Sequence, residues 1–584
     1  MSSPETFDDV LQDIGAVGPW QMCGIILYSF VWSVVAYFNF FGGMYLLAFV
    51  FYEWEPNYHC VPQMQNTKWT IDQINDMSRF HGDKCQIHHF NYSQLAIDYP
   101  EYPGNISMEK YRIESDIHPH KCSDFVFDQE GQMHNTMVST FSLVCDRDMY
   151  PAHAQLVYML GMLVGTLIAG PCADVLGRKY AIISFLIVVI IIGMLHSFIP
   201  SFFVFMVCRF AFALAAMPVT NASFTICVEV TTARHRPWVG GLFWVPSAMG
   251  IAFGLVGVAY WLRDWQWVHL TIGIPMIPPL VLMPKFPKSL RWLLCKGRVD
   301  EARALLMQAA KWNQRQLPED YDLDLVVRHL QETETAAEGW CGRIPILQLL
   351  TFENGKFKYP RIMGRAASLG MIWTVNAMIF YGISTFIGQM QGSLFLNAMA
   401  LGLVEIPGNL IGFSLMYIGR KIALLITLAC TAVFLFVIPF LASERDPNNT
   451  DPANKQTLGE LALVLLVKTG ITASFAVIYV HTSELYPTVI RASGLSFSSC
   501  LGRIGGGITK YIADLSKHGK TGTWMTFITY GVVVLIGAGL GLLLPETKGK
   551  RLPDEIEDAM HFTKERDKTE KEEDRRPDIP TNDD

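Results

Sequence analysis

Charge is scarce in this sequence. Of 584 residues, 17% are Asp, Glu, Lys or Arg, while 51% are hydrophobic and the mean hydropathy is positive. A soluble chain this long normally splits into several domains with more charge on their surfaces, so the composition speaks against that class. The formal net charge of −7 comes largely from acid at the two ends, and nothing resembles a basic face for nucleic acid. A secretory leader is not expected either. Glu5, Asp8, Asp9 and Asp13 precede a first apolar run that no Lys or Arg introduces and that is too long for a signal core. The glycines of GRIGGGITK (502–510) invite a phosphate-loop reading, but no Ser or Thr follows Lys510 and no strand precedes the run. Histidines 81, 88, 89, 118 and 120 crowd one segment without the spacing of a known metal site. No metal, cofactor or covalent chemistry is implied.

What is abundant is long apolar runs. A bilayer core of about 30 Å takes roughly 20 helical residues. Runs of that kind lie near 22–51, 152–173, 180–200, 202–228, 238–262 and 265–284, and again near 366–389, 393–418, 420–443, 457–482, 492–512 and 523–545. The fold class expected is therefore all-α, a membrane protein of twelve transmembrane helices in two groups of six. Arg178, Lys179, Arg234, Arg236, Arg420, Lys421 and Arg491 fall in short loops on one side, which the positive-inside rule makes cytoplasmic. Both ends of the chain then lie in the cytoplasm. The expected organisation is a cytoplasmic 1–21, a first bundle 22–284 with an extracellular loop 52–151, a cytoplasmic 285–365, a second bundle 366–545, and a charged tail 546–584 expected to be disordered beyond about 551.

The extracellular loop supports that orientation. Cys60, Cys85, Cys122 and Cys145 form an even set suited to disulfides, with three pairings open. Glycosylation sequons stand at Asn91 and Asn105 there, and at Asn448 in a second outer loop.

The two halves also echo each other. GPCADVLGRKY (170–180) answers GFSLMYIGRKI (412–422), Glu229 and Arg236 answer Glu484 and Arg491, and PKSLRWLLCKGR answers PETKGKR. Recurrence in the same order describes two parallel six-helix repeats. GPCADVLGRK resembles the signature loop of the major facilitator superfamily. FDDVLQDIGAVGPWQ (7–21), RWLLCKGRVDEA (291–302), HTSELYPTVIR (481–491), PETKG (545–549) and the cysteine loop resemble solute carrier family 22, over nearly the whole chain. That family comprises organic cation, zwitterion and anion transporters.

The resemblance assigns a gating role to Asp174, Arg178, Glu229, Arg236, Arg420, Glu484 and Arg491, through pairs on the cytoplasmic face that break as the halves rock. Otherwise these are surface pairs worth about 1 kcal/mol or less. Two departures stand out: Met416-Tyr417 where the family often has Asp-Arg, and Lys288 in place of a family glutamate in Pro287-Lys288-Ser289-Leu290-Arg291.

Arg503 lies within the eleventh span, about 16 Å from its cytoplasmic end, and Glu405 about 19 Å into the eighth. A charge there costs about 2.5–3.5 kcal/mol or more unless a wet cavity or a partner receives it. Either the two form a structural ion pair, or they flank a cavity where Arg503 meets an anionic and Glu405 a cationic group. The resemblance implies that an acid at 405, a base at 503 and no lysine at 409 are most like the carnitine/ergothioneine-type branch. Trp373, Phe380, Tyr381 and Trp244 are candidates for an ammonium cage, and Lys468, toward the outer side, for attracting anions. The expected function is alternating-access transport of small organic cations or zwitterions across the plasma membrane, with sodium or proton as the open choice of coupling ion and no obligate protein partner. The alternatives are an organic anion carrier, a pure cation uniporter, and a receptor or scaffold that keeps the fold without transport.

Overall fold

In lipid a backbone must satisfy its own hydrogen bonds, and an apolar run does so as an α-helix. The computed structural model describes residues 7–14, 40–60, 68–70, 73–74, 78, 85–88, 90–102, 108–111, 120–122, 124–127, 132–232, 243–285, 287–318, 321–335, 352–353, 356–357, 359–388, 390, 392–442, 458–487, 491–518 and 524–548. Within them the membrane helices are α1 (Phe40–Tyr52), α2 (Tyr150–Leu176), α3 (Arg178–Leu195), α4 (Phe202–Glu229), α5 (Val245–Leu262), α6 (265–282), α7 (Pro360–Ile387), α8 (Leu394–Met416), α9 (Arg420–Ala442), α10 (Leu458–Leu485), α11 (Arg491–His518) and α12 (Trp524–Leu543). Among the described residues, nine are long and apolar enough to cross a bilayer.

The other three differ for visible reasons. Only the second half of the first span is described. Pro275, Pro278 and Pro279 break α6 into short helical pieces, because proline removes a donor and clashes with the preceding turn. In α11 the polar residues that puzzle the sequence reader (Ser498, Ser499, Arg503, Thr509, Lys510) dilute its apolar character. Its glycines have a packing role. A Cβ at Gly505 would overlap the Thr374 carbonyl of α7, so the missing side chain lets the two helices meet backbone to backbone.

Opposite faces of the bundle carry different structures. On one, two disulfides (Cys60 with Cys122, Cys85 with Cys145) cross-link short antiparallel ladders. β1 (Tyr58–Cys60) pairs with β4 (Phe125–Phe127), and β2 (Gln86–Ile87) with β3 (His120–Lys121). Trp69, Ile74, Tyr92, Leu95 and Tyr111 form a small separate core there. The other face carries helices Leu290–Cys295, Val299–Trp312 and Asp324–Thr335, and the helix Phe7–Asp13 docks on them. Asn313 Nδ2 donates to the Ile14 carbonyl (2.7 Å) and Tyr321 donates its hydroxyl to Asp13. We call these the disulfide face and the ion-pair face. Asn105, Asn448, Arg234, Arg236, His81, His89, His118 and the tail beyond 548 lie outside the described residues.

Candidate functional site

At the ion-pair face the internal repeat recurs bond by bond. Arg178 opens α3 after Gly177, whose φ of +83° needs glycine and where Trp292 fills the space a Cβ would take. Arg178 Nη1 lies 2.9 Å from Asp174 Oδ1, and Nη2 donates to Glu229 Oε1 at 3.1 Å. Ser289 Oγ donates to the other Glu229 oxygen, and Lys179 Nζ to the Pro284 carbonyl. In the second half Arg420 grips Glu484 through Nη2 (3.0 Å) and Nε (3.1 Å), Thr547 Oγ1 donates to Glu484 Oε2, and Lys421 Nζ donates to the Leu542 carbonyl.

The repeat is broken at two positions. Met416 stands where Asp174 does, so Arg420 finds only the Met416 carbonyl there (3.3 Å). Lys288 stands where Glu546 does. The Glu546 carboxylate accepts the backbone N–H groups of Arg420 (2.8 Å) and Lys421 (3.0 Å) and so caps α9, whereas Lys288 turns away to Glu301 (2.8 Å). Burial works to raise the Glu546 pKa, but the N–H groups of Lys548, Arg420, Thr547 and Lys421 outweigh it and hold the carboxyl below its ordinary range.

The sequence suggested that Asp174 and Arg178 pair with groups near Glu229 and Arg236, and Arg178 does meet Glu229; each cluster stays within its own half in this conformation. Arg491 begins α11 but its side chain lies outside the description, as does Arg236.

Between the halves lies a cavity of about 810 Å³ that extends to the ion-pair face, where Glu229, Arg291 and Glu484 line it. At mid-bundle its walls carry Arg503 from α11, Glu405 and Asn409 from α8, Trp373, Phe380 and Tyr381 from α7, Phe475 and Tyr479 from α10, Tyr158 from α2, and Trp244 just before α5. Toward the disulfide face the halves touch. Phe51 stacks on Phe395 with ring centroids 5.8 Å apart, Gln132 bonds both the Gly392 carbonyl and the Leu394 N–H, and Lys510 Nζ lies 4.0 Å from Glu53.

Glu405 and Arg503 both line this cavity, but they do not pair. Glu405 Oε1 lies 3.0 Å from Lys468 Nζ on α10, and Arg503 Nη1 donates to the Tyr381 hydroxyl at 3.2 Å. Among the described residues no carboxylate lies at ion-pair distance from Arg503. Lys468 keeps its expected depth toward the disulfide-face end of α10 but corrects the sequence reading in its role: it is fully buried and holds the Glu405 carboxylate rather than waiting for an anion. Equal depth of two charges in a bundle says nothing about which way each helix faces.

The cage candidates also sort. Trp373 is 1% exposed, donates Nε1 to Thr482 Oγ1 (3.0 Å) and packs edge-on against Tyr479, so much of its ring is committed to packing. Phe380 gives a face to Lys468, 3.1 Å from the ring centroid. Trp244 stands 6.3 Å from Tyr479, centroid to centroid. Tyr158, Phe475 and Tyr479 escaped the sequence reading because aromatic residues in spans carry no periodic mark of their direction. A separate buried cluster lies nearer the disulfide face. Arg209 bonds Glu53 (3.1 Å) and Gln155 (2.9 Å) between the rings of Tyr52 and Tyr158.

Residues 120–558 match the model of the sugar (and other) transporter family. This match covers more than half of the chain. The chain belongs to that family of major facilitators. Its curated relatives place it on the solute carrier 22 side. It is 29% identical over 566 residues to the organic cation transporter protein of Drosophila melanogaster, covering 96% of this chain and 95% of the relative. It is 27% identical to human solute carrier family 22 member 13, covering 94% and 93%. A Drosophila beta-alanine transporter is 25% identical, with 95% and 89% covered. Among solved structures, the inward-open xylose transporter XylE from E. coli superimposes with a TM-score of 0.54 at 17% identity, covering 72% of this chain and 92% of that one; this likeness supports the fold. The family-22 chain is thus a twelve-helix membrane transporter, not an enzyme.

Proposed function

We propose that this carrier moves small organic anions, a carboxylate or sulfate on an apolar body, by alternating access across the plasma membrane. The observation that supports it is the charge of the cavity at mid-bundle. Glu405 is neutralised by Lys468, and among the described residues Arg503 keeps its charge with a tyrosine hydroxyl as its hydrogen-bond partner. A guanidinium in a partly dry cavity favours a planar anion it can meet with two donors, and the surrounding aromatic walls suit an apolar body. A free cation would meet net repulsion there.

The disulfide face is then extracellular, with sugar on Asn91, Asn105 and Asn448, and both ends of the chain are cytoplasmic. With the cavity reaching the ion-pair face and the other end shut, the conformation is inward-facing. Rocking opens the contacts at Gln132, Phe51 and Glu53–Lys510, while the Arg178 and Arg420 clusters serve as gate anchors.

A carnitine-like zwitterion is the second reading. Arg503 would take its carboxylate and the faces of Trp244, Phe475 and Tyr479 its ammonium, and the relative named as a beta-alanine transporter favours it. Uptake of benzoate, carnitine and tetraethylammonium into vesicles by purified protein separates the readings. Benzoate uptake that Arg503→Ala abolishes and Arg503→Lys partly restores is expected. Tetraethylammonium uptake without benzoate would refute it, and no uptake of any probe would favour a receptor or scaffold.

A further inference from the structure

Lys468 does not line the cavity. It lies behind the wall, fully buried, between α10 and the cavity-facing residues of α7 and α8. Its ammonium is 3.0 Å from Glu405 Oε1, donates to Ser384 Oγ at 3.1 Å, and sits 3.1 Å from the centre of the Phe380 ring. A carboxylate and an aromatic face are the two groups that an organic cation would seek in a membrane cavity. Here both face the cavity on one side and are already engaged, from the other, by a cation belonging to the chain.

We propose that Lys468 is a built-in counter-ion that sets the sign of the charge the cavity accepts. It is a positioning residue: it touches no substrate and acts through Glu405 and Phe380. While it is present, Glu405 presents a neutralised pair and Arg503 governs the cavity. Without it, Glu405 faces the cavity as a free anion beside an unoccupied aromatic face, and an ammonium of about the same chemistry can approach from the open side. Arg503 and Glu405 would then serve opposite ends of one substrate, or Glu405 alone would hold a cation. The inference rests on the anion reading above. A purely structural lysine makes a different statement, because its loss would weaken the fold and lower uptake of every substrate alike.

The experiment compares wild type, Lys468→Met, Lys468→Arg and the double variant Lys468→Met/Glu405→Gln, purified and reconstituted, with benzoate and tetraethylammonium as probes. Tetraethylammonium uptake should rise about tenfold over wild type in Lys468→Met, the gain of a modest cation–π and charge contact. The gain should vanish in the double variant, and Lys468→Arg should keep the wild-type selectivity. If Lys468→Met fails to reach the membrane, Lys468→Gln, which keeps a donor for Glu405 and Ser384, carries the same expectation. A folded Met or Gln variant with no gain in cation uptake overturns the proposal. Wild-type benzoate uptake reports on the anion reading alone. Its absence would overturn that reading, while a Glu405-dependent gain of cation uptake would still support the counter-ion.

Discussion

Glu546 and Lys288 occupy equivalent places in the two halves and do opposite things, so equal perturbations should cost unequal amounts. In Glu546→Gln the side chain keeps its size and one acceptor oxygen but loses its charge at the start of α9. It now accepts from the backbone N–H groups of Arg420, Lys421, Thr547 and Lys548, at 2.8 to 3.1 Å. A carboxylate at a helix start contributes about 0.3–1 kcal/mol through the dipole, and charged acceptors bond roughly twice as strongly as neutral ones. A loss of about 1–2 kcal/mol follows. Lys288→Gln removes an ion pair with Glu301 in which both side chains keep solvent access, worth about 0–1 kcal/mol. Heating purified protein in detergent and following the monomer by fluorescence-detected size exclusion measures both. The sign in pH is fixed as well. The Glu546 pKa is lowered by folding, so its contribution is present at neutral pH and fades as pH falls below the ordinary carboxylate value of about 4.3 toward the folded one. Wild type and Glu546→Gln should therefore converge in acid. Equal losses for the two variants, or a gap that widens in acid, would refute the cap.

Arg209→Met strips the buried Glu53 of its closest counter-charge and leaves it Lys510 at 4.0 Å, so it should cost toward the low end of about 3–5 kcal/mol, read as loss of monomer in detergent, and Arg209→Met/Glu53→Gln should recover part of it. Gly505→Ala forces a methyl into the Thr374 carbonyl and should lower the yield of folded carrier, whereas Gly539→Ala, which meets open space, should not; equal yields would refute the close α7–α11 approach. Asp174→Asn should lower maximal uptake more than apparent affinity, since Asp174 touches Arg178 and not the cavity; a change in affinity alone would remove it from the gate. Peptide mapping without reduction should recover Cys60 joined to Cys122 and Cys85 joined to Cys145; any other pairing contradicts the ladders they flank.

Hydrophobic length, loop charge and the internal repeat made the fold legible, because each is a property of the chain read in order. The family resemblance rested on the same ordered motifs. What the sequence could not deliver was azimuth. Glu405 and Lys468 belong to helices joined through a third, and the turn of each about its own axis decides whether they face a partner, the cavity or lipid. α10 spans Leu458–Leu485, and Lys468 lies about 15 Å from its Leu458 end and about 26 Å from Leu485, on the disulfide-face side of the middle, as its place in the expected span implied. Arg503 was legible as a charge that needed an explanation. That Tyr381 would answer it, and not Glu405, required the helices in place. The swap of Lys288 for the glutamate was visible as a departure, but its meaning appeared only beside Glu546.

The Gln132 contact has a practical corollary. Gln132 bonds the Gly392 carbonyl and the Leu394 N–H at the start of α8, and so ties the segment between α1 and α2 of the first bundle to the second bundle. A ligand that grips both strands of this latch would hold the carrier in one state without entering its cavity. An antibody fragment raised against that junction is therefore a noncompetitive brake, indifferent to which compound is carried and insensitive to how much of it is present.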